Sequence, residues 1–202
     1  MPGNIYYRGD DREPGQIFKN GFQKRALTSN ITYRPFVGKA GDIDPDSAVC
    51  VTRWFETAPL FPFSNENPRY IYALYLDDSV VFDTRERQIQ ETGAEIQKLM
   101  LSGVAHKDVK ALDIGWPLYA HEYATDAVPS KDIIGAVRCQ ILSRFGDGWR
   151  VTYVCSSPMS SHYCTLPIGV RIEGLEKLAA AAEAGGKTSP HPSWGFGGLT
   201  IY

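Results

Sequence analysis

Short apolar runs separated by turn residues dominate the first half of the chain. Ile5-Tyr6-Tyr7 is a β-prone run that Gly9 and the acidic pair Asp10-Asp11 stop, and Pro14 stands at the front of a short amphipathic turn carrying Ile17-Phe18. Gln23 to Asp46 reads as irregular, because Pro35, Gly38, Gly41 and Pro45 interrupt any long element. Ala48-Val49-Cys50-Val51-Thr52 then reads as a buried strand, ending at Arg53-Trp54-Phe55 and a proline-bounded aromatic run through Phe63. The clearest strand is Arg69 to Leu76, β-branched and aromatic, with Asp77-Asp78 as punctuation before Val80-Val81-Phe82. From 84 to 101 the period changes. Ile89, Ile96, Leu99 and Met100 share one broad helical face among polar neighbours, which predicts a helix with Met100 in the core.

In the second half, residues 147 to 155 form a strand pattern behind the turn signal Phe145-Gly146, and Val137 to Leu142 is the expected hairpin partner. Ile172, Leu175, Leu178 and Ala182 mark one side of an alanine-rich helix that Gly185-Gly186 ends. The tail, 187–202, is turn-rich, with Trp194, Phe196, Leu199 and Ile201 available as anchors. There is no internal repeat, phosphate loop or Rossmann signature. A chain of 202 residues with 19 Gly and 13 Pro therefore reads as one domain, 1–202, with substantial loops.

Charge narrows the function classes. A formal net charge of -2 gives no basis for a general nucleic-acid binder, which needs a basic excess. Residues 1 to 39 nevertheless hold seven Lys or Arg against three Asp or Glu, which suits a phosphorylated small ligand and equally suits scattered solvated charge. No apolar run is long enough to span a bilayer, and Met1-Pro2-Gly3 lacks the start of a signal peptide. Cys50, Cys139, Cys155 and Cys164 lack the close spacing of a zinc site, so no metal is expected. Cys155 and Cys164 flank a turn-rich loop that a disulfide would close, with buried or free thiols as the alternative.

The candidate chemistry begins at the first strand's end. Arg8 offers a planar, permanent charge to a phosphate or ribose edge, Gly9 permits close approach, and Asp10 or Asp11 would hold the guanidinium still. A surface ion pair is the plainer reading of the same residues. Trp54 and Phe55, just past a strand end, are either core residues or a stacking surface for a planar ligand ring.

Tyr7-Arg8-Gly9-Asp10-Asp11-Arg12-Glu13-Pro14, with Ile17-Phe18 and Asn20-Gly21-Phe22 behind it, resembles the opening strand and helix of pertussis-like and cholera-like mono-ADP-ribosyltransferase toxins. Two further pieces follow in the same order. Arg69 to Leu76 resembles the family's central Tyr-Ile-Tyr strand. Pro117-Leu118-Tyr119-Ala120-His121-Glu122-Tyr123, with Val128-Pro129 to Ile134 and the strand Ala136 to Cys139, resembles the segment bearing the catalytic glutamate. The resemblance implies an α+β ADP-ribosyltransferase fold whose two central antiparallel sheets form an NAD cleft. It assigns Glu122 as catalytic carboxylate and Arg8 as the NAD-binding arginine, with Gly9, Asp10, Thr52, Arg53 and Trp54 on the cofactor side.

The sequence departs from that family at two places. Its second strand ends in Ser-Thr-Ser, and Val51-Thr52-Arg53 keeps only the central hydroxyl. Arginine-modifying members place Gln or Glu two residues before the catalytic glutamate, where this chain has Ala120; Tyr119 and Ala120 would face the acceptor. The resemblance thus implies a secreted toxin or effector, with or without a delivery subunit, that transfers ADP-ribose from NAD to a host protein in the host cytoplasm. NAD hydrolysis, or an impaired NAD fold acting as a binding module, stands as the alternative.

Overall fold

The computed structural model describes residues 3–25, 33–36, 39–43, 47–60, 69–103, 122–145 and 150–185. In chain order the strands and helices are β1 (Gly3–Asp10), α1 (Pro14–Asn20), β2 (Phe22–Gln23), β3 (Tyr33–Phe36), β4 (Lys39–Ile43), β5 (Val49–Thr52), β6 (Arg69–Asp77), β7 (Phe82–Asp83), α2 (Arg85–Leu101), β8 (Glu122–Thr125), β9 (Ala127–Val128), β10 (Ile133–Phe145), β11 (Arg150–Cys155), β12 (Met159–Ser160) and α3 (Ile168–Gly185). Short 3-10 turns cover Phe55–Leu60, Asp78–Val80 and Ser130–Asp132. The α+β class expected from the sequence is what the chain adopts.

Two compact units divide the chain: Met1–Asn4, Phe22–Arg53 and Leu76–Val128 form the first, and Ile5–Gly21, Trp54–Tyr75 and Pro129–Tyr202 form the second. In the first unit β8 is flanked by β5 and β7, both antiparallel to it, while β2 pairs with β9 and β3 with β4. In the second, β11, β10, β6 and β1 are successive neighbours, and β12 adds to β10.

The second unit's core follows from β6. Tyr70 to Leu74 is buried on both faces, and so is the run Ile133, Ile134, Ala136 and Val137 of β10 opposite it. A run without polar alternation is what a strand covered on both faces requires. Helix α1 begins with Pro14, whose fixed φ suits the first helical position, and stops at Gly21. Gly21 has φ 71° and donates its N–H to the Ile17 carbonyl, a conformation that costs glycine little. The helix buries Ile17 and Phe18, and Phe18 meets Tyr72 edge-on at 6.1 Å between ring centres.

A carboxylate fixes the turn between β1 and α1. Asp10 Oδ1 accepts from the Arg12 backbone N–H at 3.1 Å and from Arg12 Nε at 2.7 Å, while Oδ2 accepts from Arg12 Nη2 at 2.7 Å and Arg8 Nη2 at 3.3 Å. The Tyr72 hydroxyl donates to the Arg12 carbonyl, and the Tyr70 hydroxyl donates to Glu13 Oε2 at 2.8 Å. Burial alone would raise the Asp10 pKa, but the hydrogen bonds from Arg12 and the charge of Arg8 outweigh it and hold the group below the usual carboxylate range.

Several expectations need correction. The stretch from Gln23 to Asp46 is not wholly irregular, since β3 and β4 form an antiparallel ladder whose register shifts between Arg34 and Phe36. Pro35 sits at that shift and has no N–H to give the ladder. Met100 is exposed rather than in the core, in the last turn of α2, where the helix is already closing with Ser102 bonded back to the Lys98 carbonyl. Ile172 is also exposed: the stripe that α3 buries is Gly174, Leu178 and Ala182, spaced four apart. The Cys155–Cys164 bridge is not formed, and none of the four cysteines is in a disulfide. Cys155 is committed by its strand register to face Cys139, whereas Cys164 is buried. The expected tail, 187–202, lies outside the described residues.

Gly135 lets β12 and α3 close on β10. A Cβ there would stand 2.6 Å from the Met159 carbonyl oxygen and 2.8 Å from Leu175 Cδ2, and backbone cannot swing aside. Gly135→Ala is expected to destabilise by about 1–3 kcal/mol. Gly169, in the first turn of α3 with open space around its Cβ position, serves as control: Gly169→Ala should be neutral or stabilising by up to about 1 kcal/mol. Chemical denaturation of both variants reads the difference, and equal stability of the two would show that the contact at Gly135 is relaxed without cost.

Asp10 also sets a pH dependence. Its folded pKa is depressed, so its contribution is present above the unfolded value near ~3.9 and disappears as pH falls through the folded pKa. Asp10→Asn should cost about 1–3 kcal/mol at neutral pH, the range for hydrogen bonds to charged groups. The gap to the unmodified protein should narrow steadily below about pH 4, as denaturation midpoints measured along a pH series would show. A gap independent of pH would mean that shape rather than charge holds this turn.

Candidate functional site

Glu122 opens β8, and antiparallel pairing sets Thr52 of β5 directly opposite it. Directly opposed residues in such a ladder project to the same face, so the Thr52 hydroxyl and Glu122 carboxylate are neighbours by register. Both residues are only 2% exposed, so Glu122 is a buried strand residue and not a solvated one. Thr84, equally buried and just ahead of α2, donates its hydroxyl to the Glu122 backbone carbonyl at 2.9 Å. Sequence reading missed Thr84; its only signal was its place as the residue before a helix, and the long-range bond cannot be read from a threonine's neighbours.

Arg53 follows β5 and is placed differently. Its Nη2 lies 3.0 Å from Asp78 Oδ1, and its guanidinium stands 5.4 Å from the centre of the Tyr123 ring. Asn4 Nδ2 donates to the second oxygen of Asp78 at 2.7 Å, completing a small polar cluster. Side chains alternate along a strand, so the face carrying Tyr123 is the one opposite to that of Glu122.

Arg8 and Asp10 are two residues apart in β1 and therefore share a face, while Gly9 between them is buried. The Arg8 side chain is 20% exposed and its Nη2 lies 3.3 Å from the Asp10 carboxylate. Asp10 is bonded to this guanidinium by long contacts that leave its shorter ones to Arg12. Trp54 is 41% exposed, whereas Phe55 is buried and meets Tyr7 edge-on at 5.5 Å. The alternatives left open by the sequence thus divide: Phe55 is core, and Trp54 presents a ring surface. Burial, and after it the charge of Glu56, raises the Tyr7 pKa, so its hydroxyl stays protonated.

Tyr119 and Ala120 lie outside the described residues, as does His121. Among the described residues no group of three or more His, Cys, Asp or Glu is placed to hold a metal ion, and no helix is long and apolar enough to cross a membrane.

No protein-family model matches the chain, and no curated protein matches it by sequence. Solved structures do. The nicked form of CARDS toxin is similar over 83% of this chain and 32% of its own length, with 16% identity and a TM-score of 0.52. Full-length CARDS toxin is similar over 85% and 33%, with 17% identity and a TM-score of 0.51. The chain therefore spans about a third of the length of these relatives. At such identities the likeness is one of fold alone.

Proposed function

We propose that the chain is a mono-ADP-ribosyltransferase that uses NAD as substrate, releases nicotinamide and transfers ADP-ribose to a host macromolecule. The observation that carries this reading is the buried Glu122 set by strand register beside a hydroxyl, Thr52, with its own backbone bonded to Thr84. The fold likeness to CARDS toxin and the order of the sequence resemblances support it.

The chemistry asks for one carboxylate in a defined place. As the bond between nicotinamide and ribose breaks, the pyridine nitrogen takes the bonding pair and leaves neutral, and positive charge develops on the ribose. Glu122, accepting a hydrogen bond from a ribose hydroxyl, would stabilise that charge where it appears. Arg8 would bind the pyrophosphate or the adjoining ribose, drawing on a guanidinium whose contacts to Asp10 are long enough to be shared. Thr52 would orient the carboxylate, and exposed Trp54 offers a ring for stacking. An acceptor nucleophile then attacks the ribose carbon. Water in its place gives hydrolysis, and Ala120 offers no polar contact to favour a guanidinium. The setting we assign is a secreted toxin or effector acting in the host cytoplasm.

Glu122→Gln keeps volume and removes charge, so nicotinamide release should fall roughly hundredfold to thousandfold with folding intact. Arg8→Lys keeps charge and loses the fork, which should weaken NAD binding by about tenfold or more with a smaller effect on turnover at saturation. Unchanged turnover in Glu122→Gln would exclude Glu122 as the catalytic carboxylate.

The acceptor is identified by incubating the protein with labelled NAD and host extract and mapping adducts by mass spectrometry, beside an extract-free control. Protein adducts are expected, with poor modification of free arginine analogues. ADP-ribose alone would assign NAD hydrolysis, and the absence of either product would assign a binding module.

A further inference from the structure

Cys139 and Cys155 are Cα partners across β10 and β11. Next to them, Ser156 N–H donates to the Arg138 carbonyl at 2.8 Å and Arg138 N–H donates to Ser156 Oγ at 3.0 Å, so the 138–156 position is a hydrogen-bonded one. Bonded and non-bonded pairs alternate along an antiparallel ladder, which makes the two cysteines a non-hydrogen-bonded pair. Such pairs bring Cα atoms to about 4.5 Å and side chains closest together, inside the range of about 4.4–6.8 Å that a disulfide spans. Cys139 and Cys155 stand 4.1 Å apart and are not bonded.

We propose that Cys139 and Cys155 form a redox-active dithiol, a covalent site that a small disulfide oxidises to an intramolecular bridge. The two thiols differ in access. Cys139 is fully buried and Cys155 is half-buried, so reagent reaches Cys155 first. The hydrogen bond from Cys139 lowers the Cys155 pKa and more than offsets the effect of burial, which favours the attacking thiolate at that same residue.

The exchange balances without any further reagent. The Cys155 thiolate attacks one sulfur of oxidised glutathione, forming a mixed disulfide and expelling one glutathione thiolate. Cys139 then gives its proton to solvent, and its sulfur attacks that of Cys155 and expels the second glutathione. Two protein thiols are oxidised and one glutathione disulfide is reduced to two thiols. The bridge would close in an oxidising compartment and reopen in a thiol-rich cytosol.

Reduced, desalted protein is treated with oxidised glutathione, quenched with acid, alkylated and mapped by peptide mass. The expected product links the Cys139 and Cys155 peptides and leaves Cys50 and Cys164 alkylated. In Cys139→Ala the same treatment should leave glutathione on Cys155, an adduct surviving at least about tenfold longer than in the unmodified protein, because the resolving thiol is gone. A lasting glutathione adduct on Cys155 of the unmodified protein, a bridge to Cys164, or alkylation of all four cysteines after prolonged treatment would each overturn the proposal. Should the variant fail to fold, the peptide map of the unmodified protein decides alone.

Discussion

The register between β5 and β8 is the constraint on which the candidate chemistry depends. Side chains alternate faces along a strand, so a slip of one residue would turn Glu122 away from Thr52 and bring Tyr123 in its place. Burial fixes the register. Val49, Val51 and Ala124 are all enclosed, and moving any of them by one position would expose apolar surface or bury charge. The bond from Thr84 to the Glu122 carbonyl adds a point of attachment outside the ladder. One neutral hydrogen bond is worth only about 0.5–1.5 kcal/mol net, but an unpaired carbonyl at that depth would cost more.

Arg8 raises a different balance. The Asp10 carboxylate is nearly buried and holds two guanidiniums, the closer being that of Arg12 at 2.7 Å. A buried carboxylate left with a single partner at long range would be costly, so Arg12 carries the structural pairing. Arg8, at 3.3 Å, is aligned by the same charge. An arginine that had to stabilise the turn by itself would be poorly suited to release hydrogen-bonding capacity to a phosphate.

The strands of the second unit were legible from their β-branched and aromatic runs: Arg69 to Leu76 becomes most of β6, and Arg150–Cys155 pairs with β10 as the hairpin reading implied. Helix faces were harder. Ile172 and Met100 fit an apolar spacing but stay exposed, because periodicity reports which residues share a face and not whether that face is covered. Gly174 was invisible to a hydrophobic pattern, yet α3 approaches Ile134 there so closely that a Cβ would come within 2.4 Å of Cδ1. Cysteine pairing failed for a related reason. Cys155 and Cys164 are near in sequence, but strand register sets Cys155 opposite Cys139, sixteen positions upstream. Of the site, Arg8 with Asp10 was legible as a local pair, whereas the opposition of Thr52 and Glu122 needed the fold likeness of the flanking segments. Thr84 carried no signal of its long-range bond.

The departure at Val51-Thr52-Arg53 takes on a definite shape once strand alternation is applied. Thr52 is the member of this triplet that stands opposite Glu122, and it is the one that keeps a hydroxyl. Val51 stands opposite Tyr123 and is buried, so a polar side chain there would have to find a partner inside the unit. Arg53 lies over the same Tyr123 ring and is tied to Asp78, a half-exposed pair worth at most about 1 kcal/mol, with a comparable gain from the ring. These two residues, where the resembled family has serines, stand on the side of the ladder away from Glu122. The substitutions therefore leave the immediate neighbour of the carboxylate intact, and they exchange small polar groups on the opposite face for a packed valine and a cation held by a tyrosine and an aspartate.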